Sequence, residues 1–199
     1  MRTILVGTVM LLACLPGAAR SDEASAVKAV EKLGGKVTRD DKLPGKPVIA
    51  VNLAGTNVTD AGLKELKDFK QLTSLDVSWS KQVTNAGLKE LKDLKQLTSL
   101  NLHLTKVTDA GLKELKDLKQ LTTLNLFGTN VSDAGLKELK DLKQLTSLYL
   151  TGNKVTDAGL KELKDLKQLT SLNLGHNNVT DDGVADLQKA LPGCKITRP

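Results

Sequence analysis

Residues 97–120 read LTSLNLHLTKVTDAGLKELKDLKQ, and residues 121–144 repeat them as LTTLNLFGTNVSDAGLKELKDLKQ. A third close copy follows directly, so the period is 24 residues. In chain order, six copies occupy 48–71, 72–96, 97–120, 121–144, 145–168 and 169–192, the second being one residue longer and the last diverged. Because self-similarity at a fixed period of this size is the signature of a repeat architecture, the sequence predicts a stack of similar units.

Each unit changes the spacing of its apolar residues at its midpoint. Leu100 and Leu102 lie two residues apart, as a strand with one buried face requires, whereas the leucines of 112–118 lie three apart, along one stripe of a helix. Asp109 precedes this helix and is predicted to cap its free amide groups, with Thr108 as a second candidate. One unit alone buries too little apolar surface to fold, so its stability must come from stacking on its neighbours.

The pattern resembles the leucine-rich repeat family, whose L-x-x-L-x-L-x-x-N motif appears here as Leu145, Leu148, Leu150 and Asn153. The resemblance implies an α/β solenoid, or horseshoe, with a parallel sheet on its concave face and helices on its convex face. The unit is similar to those of secreted bacterial leucine-rich repeat proteins. It also resembles the repeats of F-box receptors, but no F-box segment precedes the array, and a role in ubiquitin ligation is not expected.

Two further positions, each occupied by similar residues in all six copies, are interpreted as structural. The ninth residue of each unit is always short and able to hydrogen-bond the backbone as the chain leaves the strand, which predicts a buried polar ladder. The members of this ladder are Thr56, Ser80, Thr105, Thr129, Asn153 and Asn177. A glycine recurs where each helix starts, as at Gly111 and Gly135, and close packing between neighbouring turns is favoured over phosphate binding as its reason.

The segments outside the array are predicted to seal its ends. Residues 20–47 are predicted to form an N-terminal capping helix, a short strand at 36–38 and a turn-rich connection. The six repeats fill 48–192, and 193–199 form a C-terminal cap in which Cys194 and Ile196 fill the last turn. No proline occurs between residues 48 and 191, which indicates regular structure throughout that stretch.

The first residues predict export. Arg2 is followed by an apolar run and then by small residues, which is the pattern of a secretory signal peptide at 1–19 with cleavage after Ala19. The alternative is a bacterial lipobox at 11–14, in which Cys14 would be acylated and tether the chain to a membrane. Either route leaves Cys194 as the one free thiol of the mature chain, so no internal disulfide can form. We interpret Cys194 as a small buried residue rather than a reactive thiol.

Composition and spacing argue against several classes of function. The chain has a net charge of +6, but its lysines alternate with acidic residues in a recurring KELKDLK string, which is typical of a solvated face rather than of nucleic-acid binding. His103 and His176 lie three predicted strands apart, about 14 Å, which is too far to share a metal ion. A hydrolytic cluster of Ser78, His103 and Asp76 would lie on an open sheet without an oxyanion hole. We therefore predict no enzyme activity, no cofactor and no metal site.

The copies differ mainly at their fifth, seventh and eighth residues, which are predicted to alternate with the buried leucines and to point out of the concave face. Drift could produce this variation where nothing is buried. However, exposed aromatic side chains on a rigid sheet are typical binding anchors, and three of the four aromatic residues fall at these positions. The candidate ligand-binding residues are Asp76, Trp79, His103, Leu104, Phe127, Tyr149 and His176.

These patterns predict an exported, non-catalytic, monomeric module that binds a protein, peptide or glycan through its concave face. The chain would be secreted or periplasmic, and membrane contact is expected only if Cys14 is lipidated. Two alternatives stay open. One is a structural or envelope-associated spacer with no dedicated ligand, and the other is a substrate-recognition subunit that acts with a separate partner.

Overall fold

The computed structural model describes residues 18–198, and the side chains of residues 22–198. Cys14 and most of the predicted signal peptide lie outside these residues, so lipidation stays a prediction. The predicted cleavage site after Ala19 falls at the start of α1 (Ala18–Lys32). No helix within the described part of the chain is long and apolar enough to cross a membrane.

Eight strands form one sheet in the order of the chain. The first, β1 (Lys36–Arg39), runs antiparallel to β2, and every later pair is parallel, with equivalent residues of neighbouring repeats side by side. The parallel strands are β2 (Val48–Asn52), β3 (Ser74–Asp76), β4 (Ser99–Asn101), β5 (Thr123–Asn125), β6 (Ser147–Tyr149), β7 (Ser171–Asn173) and β8 (Lys195–Thr197). This order confirms the predicted α/β solenoid with a parallel sheet.

Short helices connect successive strands. They are α2 (Asp60–Leu63), α3 (Asn85–Glu90), α4 (Asp109–Leu112), α5 (Asp133–Glu138), α6 (Asp157–Glu162) and α7 (Asp181–Ala190). Two 3-10 turns, Lys64–Asp68 and Lys113–Leu115, extend α2 and α4. The helical stripe predicted over 112–118 is thus divided between an α-helix, a 3-10 turn and the return, and its leucines are all fully buried.

The sheet is longer than six repeats would give. The segment predicted as a C-terminal cap contributes β8, which places Ile196 beside Leu172 of β7. Cys194 is buried just before this strand, and its burial raises the pKa of the thiol. Its position in the apolar core supports the interpretation as a packing residue. At the other end, Ala26 and Val30 of α1 are buried in the same core.

The predicted polar ladder at the ninth position is present. Ser80, Thr105, Thr129 and Asn153 are buried, while the members of the first and last repeats are half-buried. The Thr105 hydroxyl donates to the Leu102 carbonyl oxygen at 2.7 Å. The ladder therefore satisfies backbone carbonyl groups where each strand ends, as a buried polar side chain must.

The helix cap differs from the prediction. Thr108 is the N-cap residue of α4, and in the next repeat the Ser132 hydroxyl caps α5 by accepting the Ala134 N–H at 3.3 Å. Asp109 lies one residue inside its helix and accepts two bonds from the following repeat, from Ser132 N at 2.7 Å and from Ser132 Oγ at 2.6 Å. The prediction that Asp109 caps its own helix was wrong because parallel stacking brings its carboxylate against the N-cap residue of the next unit.

The recurring glycine makes room for this carboxylate. A Cβ atom on Gly135 would lie 2.4 Å from Asp109 Oδ1, and one on Gly111 would lie 2.5 Å from Asn85 Oδ1. Neither distance is compatible with ordinary van der Waals contact. Close packing between neighbouring turns, predicted as the reason for the glycine column, is therefore confirmed.

Candidate functional site

The outward surface of the sheet is a polar groove. The third and fifth residues of each repeat flank a buried central residue, which is Val51 in the first repeat and leucine in the others. Their side chains therefore face solvent. Between β3 and β6 they surround a shallow depression of about 290 Å³. We call this surface the concave groove, and its polar lining residues are Ser74, Asp76, Ser99, Asn101, Thr123, Asn125 and Tyr149.

The fifth residue also has a structural role that its variation between copies does not reveal. Asn101 Oδ1 accepts the N–H of His103 at 3.1 Å, and Asp76 Oδ1 accepts the N–H of Ser78 at 2.8 Å. Such local side-chain bonds hold the turn that follows the strand. Because an asparagine amide oxygen does this as well as a carboxylate, the turn does not require the negative charge of Asp76.

Tyr149 departs from this pattern. It lies beside Asn125 across the β5–β6 ladder, at the position where the other repeats have asparagine or aspartate. A phenol ring cannot reach back to the turn as a short amide does, and in this repeat the Thr151 hydroxyl instead donates to Asn173 Oδ1 at 2.7 Å. The Tyr149 side chain is among the exposed large apolar groups of the described chain, and it closes one end of the concave groove.

The eighth residue lies in a turn rather than in the strand. Trp79, Leu104 and His176 have φ values of 62°, 55° and 53°. Glycine occupies the same left-handed position in the other three repeats. The prediction that these residues alternate with the strand leucines was wrong, because each of these strands is only three residues long and the chain has already turned. A bulky residue in this backbone region costs about 1–2 kcal/mol relative to the right-handed conformation.

Three rings from successive repeats form a row where the strands end. The ring centroids of Trp79 and His103 are 5.2 Å apart, and those of His103 and Phe127 are 4.4 Å apart in an edge-to-face contact. Trp79 is 56% exposed and Phe127 is 37% exposed. Leu104 lies over the next turn, since a Cβ on Gly128 would be 2.5 Å from its Cδ2. We call Trp79, His103, Leu104 and Phe127 the aromatic edge.

His103 is the middle member of this row. Its Nε2 atom is buried and has no hydrogen-bond partner among the described residues. Burial lowers the pKa of the imidazole, and the nearby Asp76 carboxylate opposes this shift more weakly. The ring is therefore neutral at neutral pH, and it contributes apolar contact rather than positive charge to the aromatic edge.

The Ser78, His103 and Asp76 trio has none of the geometry of a hydrolytic site. Ser78 is only 4% exposed, and the two Asp76 oxygens are held by amide groups, the Ser78 N–H and Asn101 Nδ2 at 3.0 Å. Within the described residues, no group of three or more His, Cys, Asp or Glu side chains is placed to hold a metal ion.

The candidate residues thus divide into two adjoining groups and one outlier. Asp76 and Tyr149 line the concave groove, and four others form the aromatic edge. His176 is exposed in the turn after β7, two repeats beyond Phe127, with Gly152 at the eighth position of the repeat between them.

One set of groove-lining residues is missing from the predicted set. The third residue of each repeat places a hydroxyl group on the groove, at Ser74, Ser99 and Thr123. Variation between copies cannot single out a column that hardly varies. Its spacing of two residues from the fifth position is the signal that could have identified it.

Two family models match the chain. One, described as "Leucine Rich repeats (2 copies)", matches residues 119–162 and 143–189. The other, described as "Leucine Rich repeat", matches residues 71–92 and 95–116. Together they cover more than half of the sequence. A comparison with curated proteins gives no match.

Two solved structures from Listeria monocytogenes are similar to this chain. Internalin C2 is 20% identical, with a TM-score of 0.55, over 89% of this chain and 93% of its own. An internalin, inlF, is 23% identical, with a TM-score of 0.56, over 93% of this chain and 58% of its own. At this level of identity the likeness shows the fold alone. The repeated sequence, the in-register parallel sheet and both family models agree that the chain belongs to the leucine-rich repeat family.

Proposed function

We propose that this chain is an exported, non-catalytic module that binds a protein ligand through its concave groove and aromatic edge. Leucine-rich repeat domains generally bind proteins and are generally not catalytic. The observation that carries the proposal is the side chain of Trp79, which is 56% exposed and lies in tilted contact with the ring of His103. Exposed, pre-organised aromatic side chains contribute large contact area on binding at little entropic cost.

The conformational free energy that the aromatic edge costs the fold supports the same proposal. Trp79 and Leu104 occupy left-handed positions where glycine stands in three other repeats. Each costs the fold about 1–2 kcal/mol, and strained residues of this kind cluster at functional sites. Drift at solvent-facing positions would not be expected to place two such residues in adjacent repeats beside the rings of His103 and Phe127.

The location is proposed from the sequence. The predicted signal peptide at 1–19 supports release to the periplasm or the exterior. Acylation at Cys14 would instead present the same solenoid at a membrane surface.

Capture of the ligand tests the proposed function. The mature chain is applied to an array of surface and secreted proteins and to a glycan array, together with a Trp79→Ala variant. The matched control is Leu43→Ala, since Leu43 is also an exposed apolar residue, at 44%, but lies between β1 and β2 outside the groove and the edge. We expect capture of a protein that Trp79→Ala abolishes and Leu43→Ala preserves. A spacer without a ligand gives no signal that depends on Trp79, and capture of glycans alone would change the ligand class.

A further inference from the structure

Asp76 is the one formally charged residue on the outward face of the described sheet between β2 and β7. The third, fifth and seventh residues of these repeats are otherwise small, hydroxyl, amide or ring side chains. The basic residues Lys36 and Arg39 belong to the end strand β1, and Lys195 belongs to β8. Lys36 lies in the column of Asp76, two strands away and beyond Asn52. No ion pair within the described residues involves Asp76. In a chain with a net charge of +6, the one charged side chain that lines the groove is thus negative.

The Asp76 carboxylate retains the capacity to bind a ligand. Oδ1 accepts the Ser78 N–H and Oδ2 accepts Asn101 Nδ2, but an ionised carboxylate has about four acceptor sites in total. Asparagine fills the equivalent turn role at Asn101. The charge therefore has neutral amide partners but no ion-pair partner among the described residues, and a cationic group is the ligand chemistry that it would attract.

The length of the groove determines how far apart two contacting side chains of a bound ligand would lie. Asp76 on β3 and Tyr149 on β6 lie in the same column, three strand spacings apart, which is about 14 Å. In an extended peptide, residues i and i+4 face the same side and lie about 13 Å apart. An extended segment that crosses the strands would thus place two side chains, four positions apart, on Asp76 and on Tyr149.

Resting on the proposed function, we propose that the concave groove binds an extended peptide segment of its protein ligand, with a basic side chain on Asp76 and an apolar side chain four positions away on Tyr149. The hydroxyl and amide groups between these two residues face the peptide backbone. Trp79 and Phe127 form an apolar border along one side of the segment.

Synthetic peptides and the fluorescence of Trp79 test this inference, because Trp79 is the only tryptophan of the chain. The probe is a capped peptide containing Arg-Ala-Ser-Ala-Leu, compared with versions in which Gln or Glu replaces Arg, and with one in which Leu is moved one position closer to Arg. We expect saturable changes with the Arg peptide, about three- to tenfold weaker binding with Gln, and still weaker binding with Glu. The shifted Leu faces the opposite side and should also weaken binding.

Asp76→Asn is the decisive variant. Its amide oxygen keeps the turn, as that of Asn101 does in the next repeat, while the bond from Asn101 Nδ2 is lost together with the charge. The variant should reduce the preference for Arg over Gln to within about twofold. Asp182→Asn is the matched control, since it removes the same charge from an exposed residue of α7, and it should leave the preference unchanged.

Equal binding of the Arg and Glu peptides, an unchanged preference in Asp76→Asn, or no saturable signal at about 1 mM Arg peptide would each overturn the inference. If protein capture that depends on Trp79 persists in that case, the proposed function stands and only the basic-peptide inference falls. If the protein capture that depends on Trp79 is lost as well, both the proposed function and the basic-peptide inference are refuted.

Discussion

Adding one methyl group at Gly135 should destabilise the fold by about 2–4 kcal/mol, although the same change stabilises most helices. The new Cβ would lie 2.4 Å from Asp109 Oδ1, 2.9 Å from Val131 Cγ1 and 3.1 Å from Leu112 Cδ1. The carboxylate would have to move, and it could not keep its bonds of 2.7 and 2.6 Å from Ser132 N and Oγ. Gly135→Ala should therefore break the contact that joins two repeats.

The magnitude follows from those two bonds. A hydrogen bond to a charged group contributes about 1.5–3 kcal/mol, and less where water can replace it. The Asp109–Ser132 contact is only partly buried, so its loss should cost less than the full sum of two such bonds. Helix propensity acts in the opposite direction by up to about 1 kcal/mol, so the sign of the result distinguishes the two effects.

Urea unfolding of a double-mutant cycle measures this coupling. With Asp109→Ala already in place, the clash with the carboxylate is absent and only the contacts with Val131 Cγ1 and Leu112 Cδ1 remain, so Gly135→Ala should cost at least about 1 kcal/mol less than in the otherwise unaltered chain. Gly193→Ala is the control, because no atom lies within 4 Å of the added Cβ. If the two substitutions prove additive, or if Gly135→Ala stabilises the otherwise unaltered chain, the inter-repeat ladder does not hold the stack as described.

Three further outcomes are expected. Leu124→Ala should lower the free energy of unfolding by about 2–5 kcal/mol because the position is fully buried. Phe127→Ala should lower it by only about 1 kcal/mol, through the loss of one ring contact. Equal losses in urea unfolding would show that Phe127 belongs to the core. Acid should destabilise the fold through His103, whose pKa is lower in the folded chain than in the unfolded chain. The unfolded chain then binds more protons, so stability falls as pH drops below about 6.5 and levels off below the folded pKa; His103→Gln should flatten this part of the Tm profile, and an unchanged profile would argue against the assignment. Mass spectrometry of the exported chain should find Arg20 at its N-terminus, whereas an acylated Cys14 would identify a tethered lipoprotein.

The fold can be predicted from the repeat because the same apolar spacing recurs in six copies and in one register. A single occurrence of Leu100 and Leu102 fits many strands, but the recurrence of this spacing in neighbouring units leaves parallel stacking as the arrangement that buries every leucine column. β8 does not follow from the repeat, since its segment has no leucine pattern. Ile196, beside Leu172 in the sheet, is the one residue that indicates the strand.

Contacts between repeats are harder to predict than the repeat itself. Within one unit, Asp109 looks like a helix cap, and only the next unit shows that it binds Ser132. The eighth position has a clearer signal, because glycine in half of the copies indicates a left-handed turn. That signal places the Trp79 side chain on an edge of the sheet rather than on its face.

Comparing each repeat with its neighbours separates the surface residues that stabilise the fold from those that do not. A repeat built only for stability would keep glycine at the eighth position and asparagine at the fifth, because one avoids strain and the other holds the turn. Trp79 and Leu104 depart from this pattern at the eighth position, as does His176 in the last repeat, and Tyr149 departs at the fifth. Trp79, Leu104, Phe127 and Tyr149 lie in four successive repeats along one groove and its border, while the buried columns stay nearly uniform. This concentration on one surface supports the proposed ligand binding over chance substitution.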